Sequence, residues 1–252
     1  MIYFVGAGPG AADLITVRGA RLLEQADVVV YAGSLVNPQL LDLCKQGCAI
    51  YDSSRMTLEQ IVDVLCDAEQ RGLECVRLHT GDPALYGAHG EQMDELDKRG
   101  VSYQIVPGVS SMFGAAAALG VEYTVPEVCQ SVIITRMEGR TPMPEGEKLH
   151  DLAAHGCTLV LFLSAGLLRE VQEELLRAGR DAQEPAALVV RASWPDEAVY
   201  RCTVGTLAAC AQEHGVAKTA LVVVGKCLEA RDARSLLYSA GFSHGYRAAK
   251  ET

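Results

Sequence analysis

The sequence lacks three features that would each indicate a particular class of protein. No apolar run approaches the 18 or more residues of a membrane-spanning helix, and the chain opens on a strand pattern without a charged leader or a cleavable apolar segment. It also lacks net positive charge: a formal charge of −10 and a pI near 5.1 disfavour nucleic-acid binding, which normally requires a basic face. We therefore expect a cytoplasmic protein that binds neither membranes nor nucleic acid.

The nine cysteines lack the spacing of a metal site or a disulfide framework. Cys-x-x-Cys pairs are absent, the number is odd, and the close pair Cys44 and Cys48 has no second pair of ligands nearby in the sequence. Cys66 and Cys75 fall on predicted core elements, where free thiols act as small hydrophobes. We expect no protein-bound metal and a reducing cytosolic environment.

Apolar runs that alternate with helical patterns predict two α/β domains. In the first 120 residues this alternation predicts a parallel sheet with helices on both faces. The strands are expected near 2–5, 27–31, 48–51, 75–79 and 103–106. A second set of apolar runs lies near 131–134, 158–163, 186–190, 198–203 and 220–224. We expect an N-terminal domain over 1–120, a C-terminal domain over 121–230 and an unassigned tail over 231–252.

The clearest helix begins after Thr57. Thr57 can cap its N-terminus together with Gln60 three residues on, and Gly72 is positioned to end it. The pattern predicts a scaffold helix.

A glycine-rich stretch follows directly on the first strand. Ile2 to Val5 leads into Gly6-Ala7-Gly8-Pro9-Gly10, and closely spaced glycines let a ligand approach bare backbone, as in dinucleotide-binding proteins. However, Pro9 removes an N–H from the loop that would cradle a pyrophosphate. The next apolar run, Val28 to Tyr31, ends in Ala32-Gly33-Ser34 without an acidic residue for a ribose. These details argue against a dinucleotide oxidoreductase.

Two further loops follow predicted strands at the same edge of the sheet. Thr80 to Gly87 follows one strand and Pro107 to Ser111 follows another. Taken singly, Gly81-Asp82-Pro83 is typical of a simple turn, and Ser110 or Ser111 of a helix cap.

In order and spacing, the three loops resemble those of the tetrapyrrole methylase family, and the resemblance runs essentially end to end. It implies two α/β domains with S-adenosylmethionine bound in the cleft between them. Many relatives carry an aspartate where this chain has Ala11, a departure that we treat as specific to one branch. The cofactor contacts that the resemblance implies are Pro9, Thr80, Gly81, Asp82, Leu85, Ser110, Ser111, Leu163 and Ala192. Family members often have methionine in place of Leu163 and glycine in place of Ala192, so the implied contacts there are those of the backbone.

Two segments, Tyr31 to Pro38 and Thr135 to Pro144, resemble the branch of the family that acts on precorrin-4. That branch methylates carbon 11 of the corrin precursor in cobalamin synthesis. Because such a substrate carries several carboxylates and the chain is acidic, a local arginine cluster is expected. The candidates are Arg136 and Arg140 in the branch-specific segment, and Arg18 and Arg55 elsewhere. Arg18 also fits an exposed helical face.

Attack by carbon 11 on the methyl group leaves a proton to be removed. Tyr86, Glu138 and His79 are candidate bases, although a packed aromatic, a solvated charge and a strand-terminal histidine are the ordinary structural alternatives. Asp82 is expected to orient the ligand or the loop rather than act as a base.

Other functions stay open at this point. One is a sibling methylase that acts on uroporphyrinogen III, at C17 or C20, or on the modified histidine of elongation factor 2. Another is a non-catalytic nucleotide-binding regulatory module, which binding of S-adenosylmethionine but not NAD or ATP would argue against. The sequence does not distinguish a cobalt-containing from a cobalt-free substrate. A homodimer is what the resemblance implies.

Overall fold

The chain divides into two compact units. The computed structural model describes residues 1–230, 234–239 and 241–248, so residues 231–233, 240 and 249–252 of the predicted tail lie outside the described residues. One unit comprises Met1–Ala118 and Arg191–Ala198, and the other comprises Leu119–Val190 and the described residues from Val199 onward. The domain boundaries expected at 120 and 230 stay predictions.

The first unit is built on a parallel five-stranded sheet. Its strands are β1 (Ile2–Gly6), β2 (Val28–Tyr31), β3 (Ala49–Asp52), β4 (Cys75–His79) and β5 (Tyr103–Val106). The order is β3-β2-β4-β1-β5, with every neighbouring pair parallel. All five strands lie within one residue of their predicted positions. Because β1 lies between β4 and β5, the loops that follow these three strands emerge side by side at the carboxyl edge.

Helices cover both faces of this sheet, as predicted. They are α1 (Val17–Gln25), α2 (Leu58–Gln70), α3 (Gly90–Lys98) and α4 (Ser111–Leu119). Phe4 packs with α2 and α3 on one face, whereas Val5 packs with α1 on the other, as strand alternation requires. The predicted cap of α2 is confirmed: Gln60 N donates to Thr57 Oγ1 over 3.4 Å, and Thr57 N donates to Gln60 Oε1 over 2.9 Å.

The second unit is also α/β, but its sheet is mixed. The strands are β6 (Val132–Arg136), β7 (Thr158–Phe162), β8 (Pro185–Val190), β9 (Ala198–Thr203) and β10 (Ala220–Val224), in the order β6-β7-β10-β8-β9. Strands β6 and β7 are parallel, whereas β10 is antiparallel to both β7 and β8. The helices are α5 (Leu149–Ala153), α6 (Leu168–Arg177) and α7 (Leu207–Glu213). Across the described part of the chain, no helix combines the length and apolar character needed to cross a bilayer.

Candidate functional site

Three loops at the carboxyl edge of the first sheet meet backbone to backbone. We call them the glycine loop (Gly6–Ala11), the β4 loop (Thr80–Ala88) and the β5 loop (Pro107–Ser110). Gly8 N donates to Gly81 O over 3.2 Å, and Gly81 N donates to Gly8 O over 2.9 Å. A Cβ placed on Gly6 would lie 2.5 Å from Gly108 Cα. The glycines are therefore required by the close approach of three main chains.

The half-buried Asp82 side chain fastens the β4 loop to the β5 loop. Its Oδ2 accepts a hydrogen bond from Gly108 N, and its Oδ1 accepts one from Ala84 N, each over 2.8 Å. Both carboxylate oxygens thus receive a backbone N–H. The Asp82 carboxylate therefore joins the two loops, and its contact with a cofactor stays a prediction.

Most of the N–H groups in the glycine loop are already engaged within the protein. Ala7 N donates to His79 O over 2.7 Å, Gly8 N donates to Gly81 O, and Pro9 has no N–H. Ala11 N donates to Ser193 Oγ over 3.0 Å. A pyrophosphate cradle needs several free, convergent N–H groups, so this loop is poorly suited to a dinucleotide.

The 191–197 segment packs against the last residues of the glycine loop. A Cβ on Gly10 would lie 2.8 Å from Ala192 O and closer still to the indole of Trp194. Arg191 and Ser193 adopt left-handed backbone with φ values of 48° and 65°. Arg191 lies over the Trp194 ring, with its guanidinium carbon 4.0 Å from the ring centroid. Such strained backbone is held in place by surrounding contacts and is concentrated at functional sites.

Asn37 supports the same loop from another side. Its side chain is buried, and Nδ2 donates to Gly10 O over 2.9 Å. The sequence reasoning did not identify Asn37, Ser193 or Trp194 as parts of the site. The local signals were the place of Asn37 in the Tyr31 to Pro38 segment and the position of the chain's single tryptophan two residues after Ala192.

The structure brings most of the predicted cofactor residues together in the first unit. A Cβ on Gly114 of α4 would lie 2.9 Å from Pro9 Cβ and 3.4 Å from Ala192 Cβ. A Cβ on Gly81 would lie 3.5 Å from Ser111 N and 3.6 Å from Ser110 Cα. Thr80, Asp82 and Leu85 belong to the same β4 loop.

Leu163, by contrast, belongs to the second unit and follows β7. Its side chain is 66% exposed and its φ is 53°. An exposed apolar side chain on a left-handed backbone has no packing role that would explain the strain. These features support a ligand contact at Leu163, which stays a prediction.

Arg136 builds a loop in the second unit, the 137–143 loop. Its guanidinium donates to Met137 O and Thr141 O over 3.2 Å each and to Pro142 O over 2.9 Å. Glu138 Oε1 accepts a hydrogen bond from Met143 N over 3.2 Å. Sequence reasoning missed this loop-building role, because it depends on carbonyl positions that only the folded loop defines. Substrate contact by Arg136 stays a prediction.

The other candidate arginines are exposed. Arg140 lies on the 137–143 loop, Arg18 lies on α1, and Arg55 ends a short 3-10 turn after β3. The exposed guanidinium of Arg140 is thus presented by a loop that Arg136 shapes.

The three candidate bases have very different surroundings. Tyr86 is 43% exposed and Glu138 is half-buried, whereas His79 is 2% exposed and stacks against Phe4. Burial, reinforced by the nearby charge of Arg77, lowers the pKa of His79 to about 3. His79 is therefore neutral at physiological pH and a weak base. The catalytic assignment of all three stays a prediction.

Comparison with known proteins gives a consistent result over the chain. The family model described as Tetrapyrrole (Corrin/Porphyrin) Methylases matches residues 1–208. A cobalt-precorrin-4 C(11)-methyltransferase of Methanocaldococcus jannaschii is 50% identical over 98% of this chain and 95% of its own length. A precorrin-4 C(11)-methyltransferase of Pseudomonas aeruginosa is 48% identical over 98% of each chain.

Two solved structures show the same similarity in three dimensions. A cobalt precorrin-4 methyltransferase has a TM-score of 0.89 at 48% identity, covering 90% of this chain and 95% of its own. A uroporphyrin-III C-methyltransferase of Thermus thermophilus, complexed with S-adenyl homocysteine, has a TM-score of 0.74 at 30% identity, covering 90% of this chain and 98% of its own. Together with the three-loop geometry, these matches establish that the chain belongs to the tetrapyrrole methylase family.

Proposed function

We propose that this protein transfers a methyl group from S-adenosylmethionine to carbon 11 of precorrin-4 or its cobalt form, in cobalamin biosynthesis. The observation that carries the proposal is identity of about half over nearly the whole length of both chains with enzymes named for that reaction. The uroporphyrin-III methyltransferase is only 30% identical, which favours the C11 reaction over a sibling methylase activity.

The residues of the first unit suit S-adenosylmethionine better than a phosphate-bearing nucleotide. Most N–H groups of the glycine loop are already engaged within the protein, and the β4 loop, the β5 loop and the start of α4 carry the hydroxyls of Thr80, Ser110 and Ser111. These residues, with Pro9 and Asp82, would hold the cofactor. When bound, it supplies a methyl group on a sulfonium that carries its own leaving group.

The contribution of the protein is then chiefly positioning. Holding donor and acceptor in line is worth up to roughly 7–11 kcal/mol of barrier reduction in well-oriented systems. The backbone contacts of Gly6, Gly81 and Gly108 fix one wall of the site without mobile side chains. Arg140 contacts a substrate carboxylate, and Tyr86 or Glu138 accepts the proton that carbon 11 loses. The active form is a cytoplasmic homodimer, a proposal that rests on the family resemblance.

The test is to incubate the protein with S-adenosylmethionine and precorrin-4, with and without cobalt, and to locate the new methyl group by NMR. A methyl group on carbon 11 is expected, and the more active substrate form identifies the route. Methylation at another carbon would refute the C11 assignment. Calorimetry with S-adenosylhomocysteine, NAD and ATP provides the control: only the first should bind, and binding of NAD or ATP without methyl transfer would favour a nucleotide-binding regulatory module.

A further inference from the structure

The Tyr86–Ala88 turn of the β4 loop adopts a backbone conformation that its sequence does not favour. Tyr86 has φ 55° and Ala88 has φ 47°, both left-handed values that non-glycine residues rarely adopt. Gly87 between them packs so tightly that a Cβ would lie 3.1 Å from Pro83 Cα and closer still to Pro83 O. Because positive φ is unfavourable for Tyr86 and Ala88, contacts from the rest of the protein must stabilise the conformation of this turn.

Buried polar side chains supply those contacts. Gln92 on α3 is 4% exposed, and its Nε2 donates to Ala88 O over 3.1 Å. Its Oε1 accepts a hydrogen bond from Arg77 Nε over 2.9 Å. Arg77 thereby fixes which end of the Gln92 amide points toward Ala88, since the carbonyl end is taken.

Arg77 is an unusual residue to find buried beside a side-chain amide that it only orients. It is 5% exposed, and its guanidinium donates to the neutral Gln92 amide and to backbone carbonyls, Val30 O among them at 3.1 Å. Burial lowers the pKa of Arg77 to about 10. A guanidinium is costly to bury when its partners are neutral, so an apolar residue at this position would be the simpler choice for a purely structural core.

We propose that Arg77 and Gln92 are positioning residues for methyl transfer, which hold the Tyr86–Ala88 turn through the Ala88 carbonyl. The inference rests on the proposed function, because this turn carries Tyr86 and follows Leu85. The first part of the β4 loop is secured separately, by Gly8 and by the bond from Gly108 N to Asp82. Loosening the turn therefore leaves cofactor affinity nearly intact and lowers kcat.

The test compares three variants of the full-length protein, and one control variant, with the wild type. Gln92→Met removes both hydrogen bonds, whereas Gln92→Glu still accepts from Arg77 but has no N–H for Ala88. Both variants are expected to lower kcat for the tetrapyrrole at least tenfold and to change the S-adenosylhomocysteine Kd less than threefold. Adding Ala88→Gly to Gln92→Met should restore at least half of the lost kcat on a logarithmic scale, because glycine adopts positive φ without strain.

Leu96→Val is the matched control, since Leu96 is fully buried on the same helix and its apolar side chain makes none of the hydrogen bonds that join Arg77, Gln92 and Ala88. It should lower the Tm without lowering kcat. The proposal is overturned if Gln92→Met or Gln92→Glu keeps wild-type kcat, if Ala88→Gly gives no recovery, or if Leu96→Val lowers kcat as much as the Gln92 variants. Failure of the proposed function is distinguishable, because it appears in the wild type as absent S-adenosylhomocysteine binding or absent C11 methylation.

Discussion

Replacing Gly108 by alanine tests the contact on which the three-loop site is built. The added Cβ would lie 2.7 Å from Gly6 Cα and 2.9 Å from Gly6 C, and closer still to Gly81 O. All three are backbone atoms, which cannot rotate away as a flexible side chain does. The glycine loop, the β4 loop and the β5 loop must therefore separate.

The size of the effect follows from the contacts that this separation breaks. Overpacking of a tight site costs about 1–3 kcal/mol. Losing the reciprocal Gly8–Gly81 bonds adds about 1 kcal/mol each, and weakening the bond from Gly108 N to the Asp82 carboxylate adds roughly 1.5–3. Overpacking is relieved when the loops separate and break these bonds, so the costs do not simply add. We expect a total loss near 3–5 kcal/mol, a large share of a typical free energy of unfolding of about 5–15 kcal/mol.

The assay is urea unfolding at constant pH, together with calorimetric binding of S-adenosylhomocysteine. Gly90→Ala is the control, and its change in stability should have the opposite sign, because nothing lies within 4 Å of the added Cβ and Gly90 begins α3. That variant should gain about 0.4–1 kcal/mol. A Gly108→Ala protein that loses less than about 1 kcal/mol and binds S-adenosylhomocysteine normally would refute the reasoning, because such a result is below the smallest overpacking cost.

Three further perturbations address individual side chains. Asp82→Asn keeps one acceptor oxygen and so places an amide N–H against either Gly108 N–H or Ala84 N–H; it should cost about 2 kcal/mol in urea unfolding and weaken S-adenosylhomocysteine binding. Unchanged stability would argue that the Asp82 carboxylate does not hold the two loops together. The pKa of His79 is about 3 when folded and about 6.5 when unfolded, so the unfolded chain binds the extra proton and stability falls as pH drops through that window. About 2 kcal/mol should be lost between pH 7 and pH 5, and His79→Asn should lack this component of the pH dependence. Arg140→Ala should raise KM for the tetrapyrrole about tenfold and leave the cofactor Kd unchanged, since one charge-assisted bond is worth about 1.4 kcal/mol or more; an unchanged KM would remove Arg140 from the substrate site.

The strands could be predicted from the sequence because each is a short, nearly continuous apolar run. Residues such as Val28 to Val30 are buried on both faces of a parallel sheet, and this burial leaves a local signal. The order of the strands has no such signal. The antiparallel placement of β10 between β7 and β8 depends on pairing between distant segments, so the mixed character of the second sheet was not foreseen.

The parts of the candidate site that short sequence motifs define could be predicted, whereas contacts between distant residues could not. The order of the glycine, β4 and β5 loops identified the residues that meet at one edge, and Asp82 was expected to orient them. In contrast, Ser193 accepts the hydrogen bond of Ala11 N from a position 182 residues further along the chain. Neither segment has a sequence feature that indicates this contact. Arg136 was predicted from its charge and its place in the Thr135 to Pro144 segment, whereas its partners are carbonyls that come together only when the 137–143 loop folds.

The packing of Trp194 on Gly10 gives this protein an internal spectroscopic reporter. The chain contains a single tryptophan, and its indole lies on the last glycine of the loop that we assign to the cofactor. The guanidinium of Arg191 over the ring adds a local charge to which indole emission is sensitive. If the glycine loop holds the cofactor as proposed, we expect ligand binding, loop displacement and local unfolding to change the emission of this tryptophan, so that no added dye is needed.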